Sequence, residues 1–523
     1  MDINEFLKER GYTKEFNLAV CDEASEIPDK IPEDEISRRR NLFDKTIITI
    51  DGEDAKDLDD AVSLEVLKNG HYLLGVHIAD VSHYVLSGSA IDDEAFFRGT
   101  SVYLVDTVIP MLPEKLSNGL CSLLPHRPRL TMSCFMEILP NGGIVDYKIE
   151  KSVIKTSYRL NYKEVAAVLD GDMALRTKYA DITELLEQMR TLALILRDKR
   201  CRRGSIDFNF PEAKVITDAD GNVTDIVRYD IKISNKIIEE FMLAANETVA
   251  KFMLEKEIPA LYRVHEQPDA EKIARLYNVV KQLGCKFKLK DNVSPKSMQN
   301  LLFEITGTDY ELAVSTIMLR SMMKARYSDE NLGHFGLAAQ YYCHFTSPIR
   351  RYPDLFIHRA ISKYLDGSLD IEKTARLAKR AAEQSSDTEA AAAVAERDYV
   401  DYKACEFMAD KVGQRFGGVI STVTSFGFFV ELPNTVEGLV RMSDLDDDYY
   451  IFDEENMILY GEHSGIVYKI GDRADVILAK VNTELKQIDF VPYKETKPER
   501  GAKKHGTGSK HKRKTKRKSR RSK

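Results

Sequence analysis

Apolar and polar positions alternate with a period of two along the first third of the chain, and the period then lengthens. Residues 46–50 are a β-branched run, and residues 61–66 alternate cleanly, so both read as strands. Residues 72–81 read as a third, buried strand. Residues 130–139 and 144–153 read as a hairpin joined at Asn141-Gly142-Gly143. From residue 161 the apolar residues fall three and four apart. Leu185, Leu186, Met189, Leu192 and Leu196 predict a helix over 182–200. Ile237, Ile238, Phe241, Leu243 and Val249 predict another over 234–255, with Ser234 as its cap. Residues 204–211 read as a strand ending at a proline, and the alanine-rich stretch 374–410 as one long helix or a helix pair.

A separate period-two pattern returns near the C-terminus. Five short apolar segments, 417–423, 427–432, 438–442, 474–481 and 488–491, carry glycines at their bends and suggest an OB barrel. Such barrels bind single-stranded nucleic acid by stacking and charge, and Phe416, Phe426 and Phe428 are the candidate surface aromatics. The division expected is a helix and linker over 1–45, a mixed α+β domain over 46–408, the OB barrel over 412–492 and a disordered basic tail over 493–523.

Composition sharpens this picture in two ways. Seven cysteines are scattered singly along 523 residues, which excludes a disulfide framework and a zinc knuckle, and fits a reducing cytoplasm. The N-terminus carries no signal-like apolar run, and no stretch is long and apolar enough to predict a membrane span. The net charge of −7 conceals an asymmetry: residues 500–523 hold 13 Lys and Arg and no acid, leaving a net of −20 on residues 1–499. A cationic tail on an acidic body suggests contact with a polyanion.

The candidate chemistry lies between the first two strands. Asp51, Asp57, Asp59 and Asp60 crowd into ten residues on an irregular turn held at both ends by buried backbone. Carboxylates this close repel one another unless cations intervene, and hard divalent ions with oxygen ligands are the natural counter-charge. A helix–loop–helix calcium site is excluded because the acids miss the alternating ligand positions. His77 and Asp80 follow on the next strand, where a satisfied core histidine is the plainer reading. A second polar stretch, 344–354, turns at Ser347-Pro348 and presents Arg350 and Arg351 where a helix begins. Acids that hold metal, with a preorganised arginine, are what phosphoryl transfer requires.

Residues 51–62 resemble the signature of the catalytic domain shared by ribonuclease II and ribonuclease R, as do 98–103, 108–114, 116–123 and 344–354. The barrel resembles the RNA-binding module of ribosomal protein S-one, most clearly at residues 425–430. The resemblance runs from about residue 40 to 492, and the tail and first motif favour the ribonuclease R branch. It implies a processive 3′-to-5′ exoribonuclease that hydrolyses single-stranded RNA to nucleoside 5′-monophosphates. It implies Mg²⁺ in a two-metal scheme, with Mn²⁺ as a substitute. Asp51 and Asp60 would hold one ion. Asp57 and Asp59 would help to hold the second and the attacking water, and Arg350 would stabilise the scissile phosphate. Tyr103 and Phe208 would stack on terminal bases, and Arg351 and Glu396 would face the RNA. A monomer in the cytoplasm is expected, with the ribosome or RNA-decay proteins as partners of the tail.

One departure stands out. Family members carry cold-shock OB domains ahead of the catalytic domain, and here 45 residues precede it. The chain is therefore expected to be either a fragment or a short form. That leaves open its grip on structured RNA and an alternative reading as an RNA-binding protein with little hydrolysis. A degenerate site would have lost an aspartate or the arginine, and all are present. A nuclease acting on DNA is a third reading, which only contacts to the 2′-hydroxyl would exclude.

Overall fold

The computed structural model describes residues 3–208, 212–282, 293–308, 310–454 and 456–494. The basic tail from residue 495 onward, residues 209–211 of the expected strand and Cys285 lie outside the described residues.

A seven-stranded sheet organises the larger domain. Its order is Arg40–Asn41, Ile144–Lys155, Pro128–Ile138, Tyr72–Ala79, Asp60–Val66, Ile48–Asp51, Tyr158–Asn161. The central pairs are antiparallel; the two outermost strands join in parallel. Period-two side chains sort onto two faces. Ile48, Ile50, Val62, Leu64, Val76 and Ile78 face the helices Tyr162–Asp170, Thr183–Arg203 and Ile233–Glu255. Ala61 and Ala79 face the opposite layer, which includes Leu18–Glu26, Ala90–Arg98 and the long helix Ile371–Met408.

That second face holds a buried polar run. His77 bonds to Ser63 at 2.9 Å and Ser133 at 2.7 Å, and Ser133 and Thr131 both reach Ser152. Burial pushes the His77 imidazole down to about 3, so it is neutral. Asp80 pairs with Arg39 at 2.7 Å, and the guanidinium holds its carboxyl down at about 2 against the cost of burial. Both residues are structural.

Several expectations change. Residues 3–45 are built into the domain: the helices Ile3–Glu9, Leu18–Glu26 and Glu33–Arg38 lead to a strand paired with Ser152 and Val153. Phe6 and Leu7 pack on Tyr399 of the long helix. Residues 205–208 are not a strand. Ser234 lies inside its helix, where its hydroxyl donates to the Tyr162 carbonyl; the Asn235 side chain accepts from the Lys232 N–H at the helix start instead. The alanine-rich stretch is one helix of 38 residues.

The barrel closes as expected, from Arg415–Thr424, Gly427–Glu431, Glu437–Arg441, Gln487–Pro492 and Arg473–Asn482. A three-stranded sheet over Tyr450–Asp453, Ile458–Gly461 and Val467–Lys469 is inserted into it, which the periodicity did not reveal. No helix among the described residues is long and apolar enough to cross a membrane.

Candidate active site

Asp51 ends one sheet strand, and Asp60 opens its neighbour. The intervening turn is pinned from beneath. The Ser122 hydroxyl accepts from the Leu58 N–H at 3.1 Å and donates to the Lys56 carbonyl at 2.6 Å, while the Leu123 N–H donates to the Leu58 carbonyl. Buried Leu58 thus anchors a loop whose acids must point elsewhere. The Ala79 N–H ties down the Asp59 carbonyl. All four aspartates line one cavity of about 300 Å³.

Residues nearly three hundred positions away complete the cavity. The Asp59 side chain is 4 % exposed and accepts from the Ile349 N–H at 2.8 Å. Its other oxygen lies 3.5 Å from Arg350 Nε. The Ser347 hydroxyl accepts from the Arg350 guanidinium at 3.0 Å, and the Arg350 carbonyl accepts from the Ser101 N–H at 2.9 Å. Gly99 sits two residues before Ser101 in the left-handed region, where a side chain would collide with Thr388 of the long helix. Its carbonyl accepts from the Tyr352 N–H.

One oxygen each of Asp51, Asp59 and Asp60 is buried without a hydrogen-bond partner. Burial, then Asp60 and Asp57, pushes the Asp51 carboxyl up to about 8. Burial pushes Asp60 up to about 6 against the pull of Arg350 and Arg351, and lifts Asp59 well above the carboxylate range. Such oxygens are costly unless a cation meets them. No three His, Cys, Asp or Glu side chains among the described residues form a ready-made cage for one ion. Mg²⁺ does not need one, because it is held by one or two carboxylates and keeps waters or phosphate oxygens for the rest. The donor set fits that ion.

Tyr103 meets the site from the edge. Its hydroxyl donates to Asp57 at 2.9 Å, and its N–H donates to Glu396 of the long helix at 2.7 Å. Burial raises the Glu396 carboxyl and, with Asp57, the phenol. Phe208 lies in an adjoining cavity that shares Glu239 with the first.

Two expectations fare differently, and only that for Phe428 needs correction. Arg351 lines the cavity, but its guanidinium donates to fully buried Asp354 at 2.8 Å, which also accepts from the Ser347 N–H. It braces the turn that carries Arg350. Phe428 is 2 % exposed and stacks on Tyr468 inside the barrel, so it is core and offers no face to a base. Phe426 is 55 % exposed, and Phe416 is half-buried near Phe490.

Sequence reasoning missed Glu239 and Asn246. Both face the cavity from the helix Ile233–Glu255, with Met242 and Leu243 between them. Asn246 accepts from the Phe345 N–H and donates to the Tyr342 hydroxyl, fixing the irregular segment that leads to Ser347. Two polar residues seven apart on an otherwise apolar helix face were the available signal.

Residues 39–367 match the RNB domain family, and residues 409–491 match the S1 RNA binding domain family. The chain is 45 % identical over 494 residues to "Ribonuclease R 1" of Lactococcus lactis subsp. lactis, covering 94 % of this chain and 60 % of that protein. It is 46 % identical over 484 residues to "Ribonuclease R" of Thermotoga maritima, covering 91 % and 68 %. The solved structure of Mycoplasma genitalium RNase R in complex with ribose methylated single-stranded RNA superimposes with a TM-score of 0.88 at 32 % identity, over 94 % of this chain and 77 % of that one.

Proposed function

From the premise that this chain belongs to the RNB-domain ribonucleases of the ribonuclease R type, we propose that it is a 3′-to-5′ exoribonuclease that hydrolyses single-stranded RNA to nucleoside 5′-monophosphates. The observation that carries this reading is the set of three buried carboxylate oxygens without hydrogen-bond partners, on Asp51, Asp59 and Asp60, in one cavity with Arg350.

Asp51, Asp57, Asp59 and Asp60 would hold Mg²⁺, with Mn²⁺ as a substitute. When bound, the metal would make water nucleophilic at neutral pH and stabilise charge on the attacking and leaving oxygens. The protein supplies position. The Ile349 N–H fixes one Asp59 oxygen and leaves the other directed at the cavity, beside Arg350. Arg350 reaches the same space from a turn locked by Ser101 and Ser347, so its guanidinium stabilises charge on the scissile phosphate with little reorganisation. Tyr103, held at Asp57 and Glu396, offers its ring to a base near the 3′ end, with Phe208 as the second platform. The barrel presents Phe426 and Phe416 to the incoming strand. A monomer in the cytoplasm, with the basic tail on RNA, the ribosome or RNA-decay proteins, completes the reading.

The test is a time course on 5′-labelled single-stranded RNA, with Mg²⁺ and with chelator, beside the same sequence as DNA. The expected result is Mg²⁺-dependent conversion of RNA to a short end product with few intermediates, while the DNA stays intact. Intact RNA that is nonetheless shifted in a gel would overturn the enzymatic reading in favour of RNA binding alone.

A further inference from the structure

A cavity of about 280 Å³ shares no lining residue with the aspartate cavity. It is bounded by the helices Ala90–Arg98, Tyr352–Leu365 and the first turns of Ile371–Met408. Lys363, Lys373 and Arg380 line it, and none of the three makes an ion pair among the described residues. Arg359, at the floor, is already committed: it donates to Asp92 and to the Val85 carbonyl. Asp93 is the one carboxylate of the lining without an ion pair. Three open cations against one open acid leave a surplus of two positive charges.

Two further features favour an anion. Lys373 and Thr374 lie in the first turn of a 38-residue helix, whose dipole adds positive potential beside the Asp370 carboxylate that caps it by accepting from the Lys373 N–H at 2.9 Å. One wall is apolar, formed by Phe96, Phe356 and Leu377, and the Arg380 guanidinium lies over the Phe96 ring at 5.5 Å. A phosphomonoester carries about −1.5 to −2 at pH 7, which matches the surplus. The apolar wall suits a nucleobase or ribose face. All three cations line one cavity of about 280 Å³, a volume that suits a small ligand better than the backbone of a strand.

We propose that this cavity binds a nucleoside 5′-monophosphate, with Lys363, Lys373 and Arg380 on the phosphate and Phe96 beside the base. The site stands on its own geometry and does not depend on the reading of the aspartate cavity.

The test titrates AMP into the full chain by calorimetry, with adenosine and inorganic phosphate as controls. Substituting Lys363→Ala with Arg380→Ala is expected to weaken AMP binding at least tenfold, while Arg350→Ala leaves this binding unchanged. RNA hydrolysis and thermal unfolding of the Lys363→Ala/Arg380→Ala chain are expected to match the parent, which shows that the fold is retained. Unchanged AMP affinity in that chain would overturn the site. So would loss of all AMP binding with Arg350→Ala, which would place the nucleotide among the aspartates. Inorganic phosphate binding as tightly as AMP would overturn the nucleoside assignment. A short RNA that loses affinity with the pocket variants while AMP shows no binding would overturn it in favour of a polyanion path.

Discussion

The Tyr103 hydroxyl donates to Asp57 at 2.9 Å while its backbone N–H donates to Glu396, so one residue joins the aspartate turn to the long helix. The ring and the hydroxyl therefore have separable roles. Tyr103→Phe is expected to lower turnover roughly tenfold, because Asp57 loses a charge-assisted partner, with RNA affinity changed less than about twofold. Tyr103→Ala is expected to weaken RNA binding as well, by one stacked base, about 1–3 kcal/mol. Single-turnover rates and gel shifts measured side by side check the split; equal effects of the two variants would refute it.

Asp59→Asn is expected to reduce hydrolysis by at least about a thousandfold, on the scale of losing a central electrostatic group. RNA binding should remain near the parent value, because Asp59 is buried and points at the cavity. Binding lost in step with activity would remove Asp59 from the chemistry.

The crowded carboxylates predict a cation-dependent stability. Adding Mg²⁺ is expected to raise the unfolding temperature, by mass action on the folded state. In Asp51→Asn, measured above pH 8 where Asp51 is otherwise ionised, the metal-free protein should unfold at a higher temperature than the parent, since one repelling charge is gone, and the Mg²⁺ response should shrink. Calorimetry with chelator and with Mg²⁺ decides this. An equal Mg²⁺ shift in parent and variant would show that the ion binds elsewhere.

The adjacent arginines should behave differently. Arg350→Ala is expected to abolish activity at nearly unchanged stability, because its side chain is 42 % exposed. Arg351→Ala leaves buried Asp354 without its cation and is expected to cost about 3–5 kcal/mol. Denaturant unfolding of the two variants separates the roles.

His77 gives the fold an acid limit. Its folded value is depressed to about 3 from 6.5, so the unfolded chain takes up a proton below 6.5 that the folded chain refuses. Stability from this group is full above 6.5 and declines as the pH falls toward 3. Between pH 7.5 and 5 the loss is about 2 kcal/mol. A His77→Gln chain should lose that much less over the same interval; parallel curves would disprove the assignment.

The aspartates, the two arginines and Tyr103 were legible because short-range pattern places them: strand ends fix Asp51 and Asp60, and a Ser-Pro turn fixes Arg350. The barrel was legible from five alternating segments. What was not legible depends on tertiary packing. Phe428 and Phe426 are two residues apart and would share a face on one strand, but Phe426 falls in the turn before the strand Gly427–Glu431, which leaves its ring exposed while Phe428 is buried. Arg351 looked as free as Arg350 until Asp354 was seen beneath it. The N-terminal segment lacks a strong period, and its order comes from contacts with Tyr399 and the sheet edge.

The long helix Ile371–Met408 carries Lys373 and Arg380 near its start, Glu396 in its body, and Cys405 and Met408 in the apolar core shared with the barrel. A helix advances about 1.5 Å and turns about 100° per residue. A single inserted residue between Glu396 and Cys405 would therefore swing the barrel by more than a quarter turn relative to the aspartate cavity. Chain length in this stretch is a coded quantity, and insertions that loops elsewhere absorb would here be paid in full by the alignment of two domains.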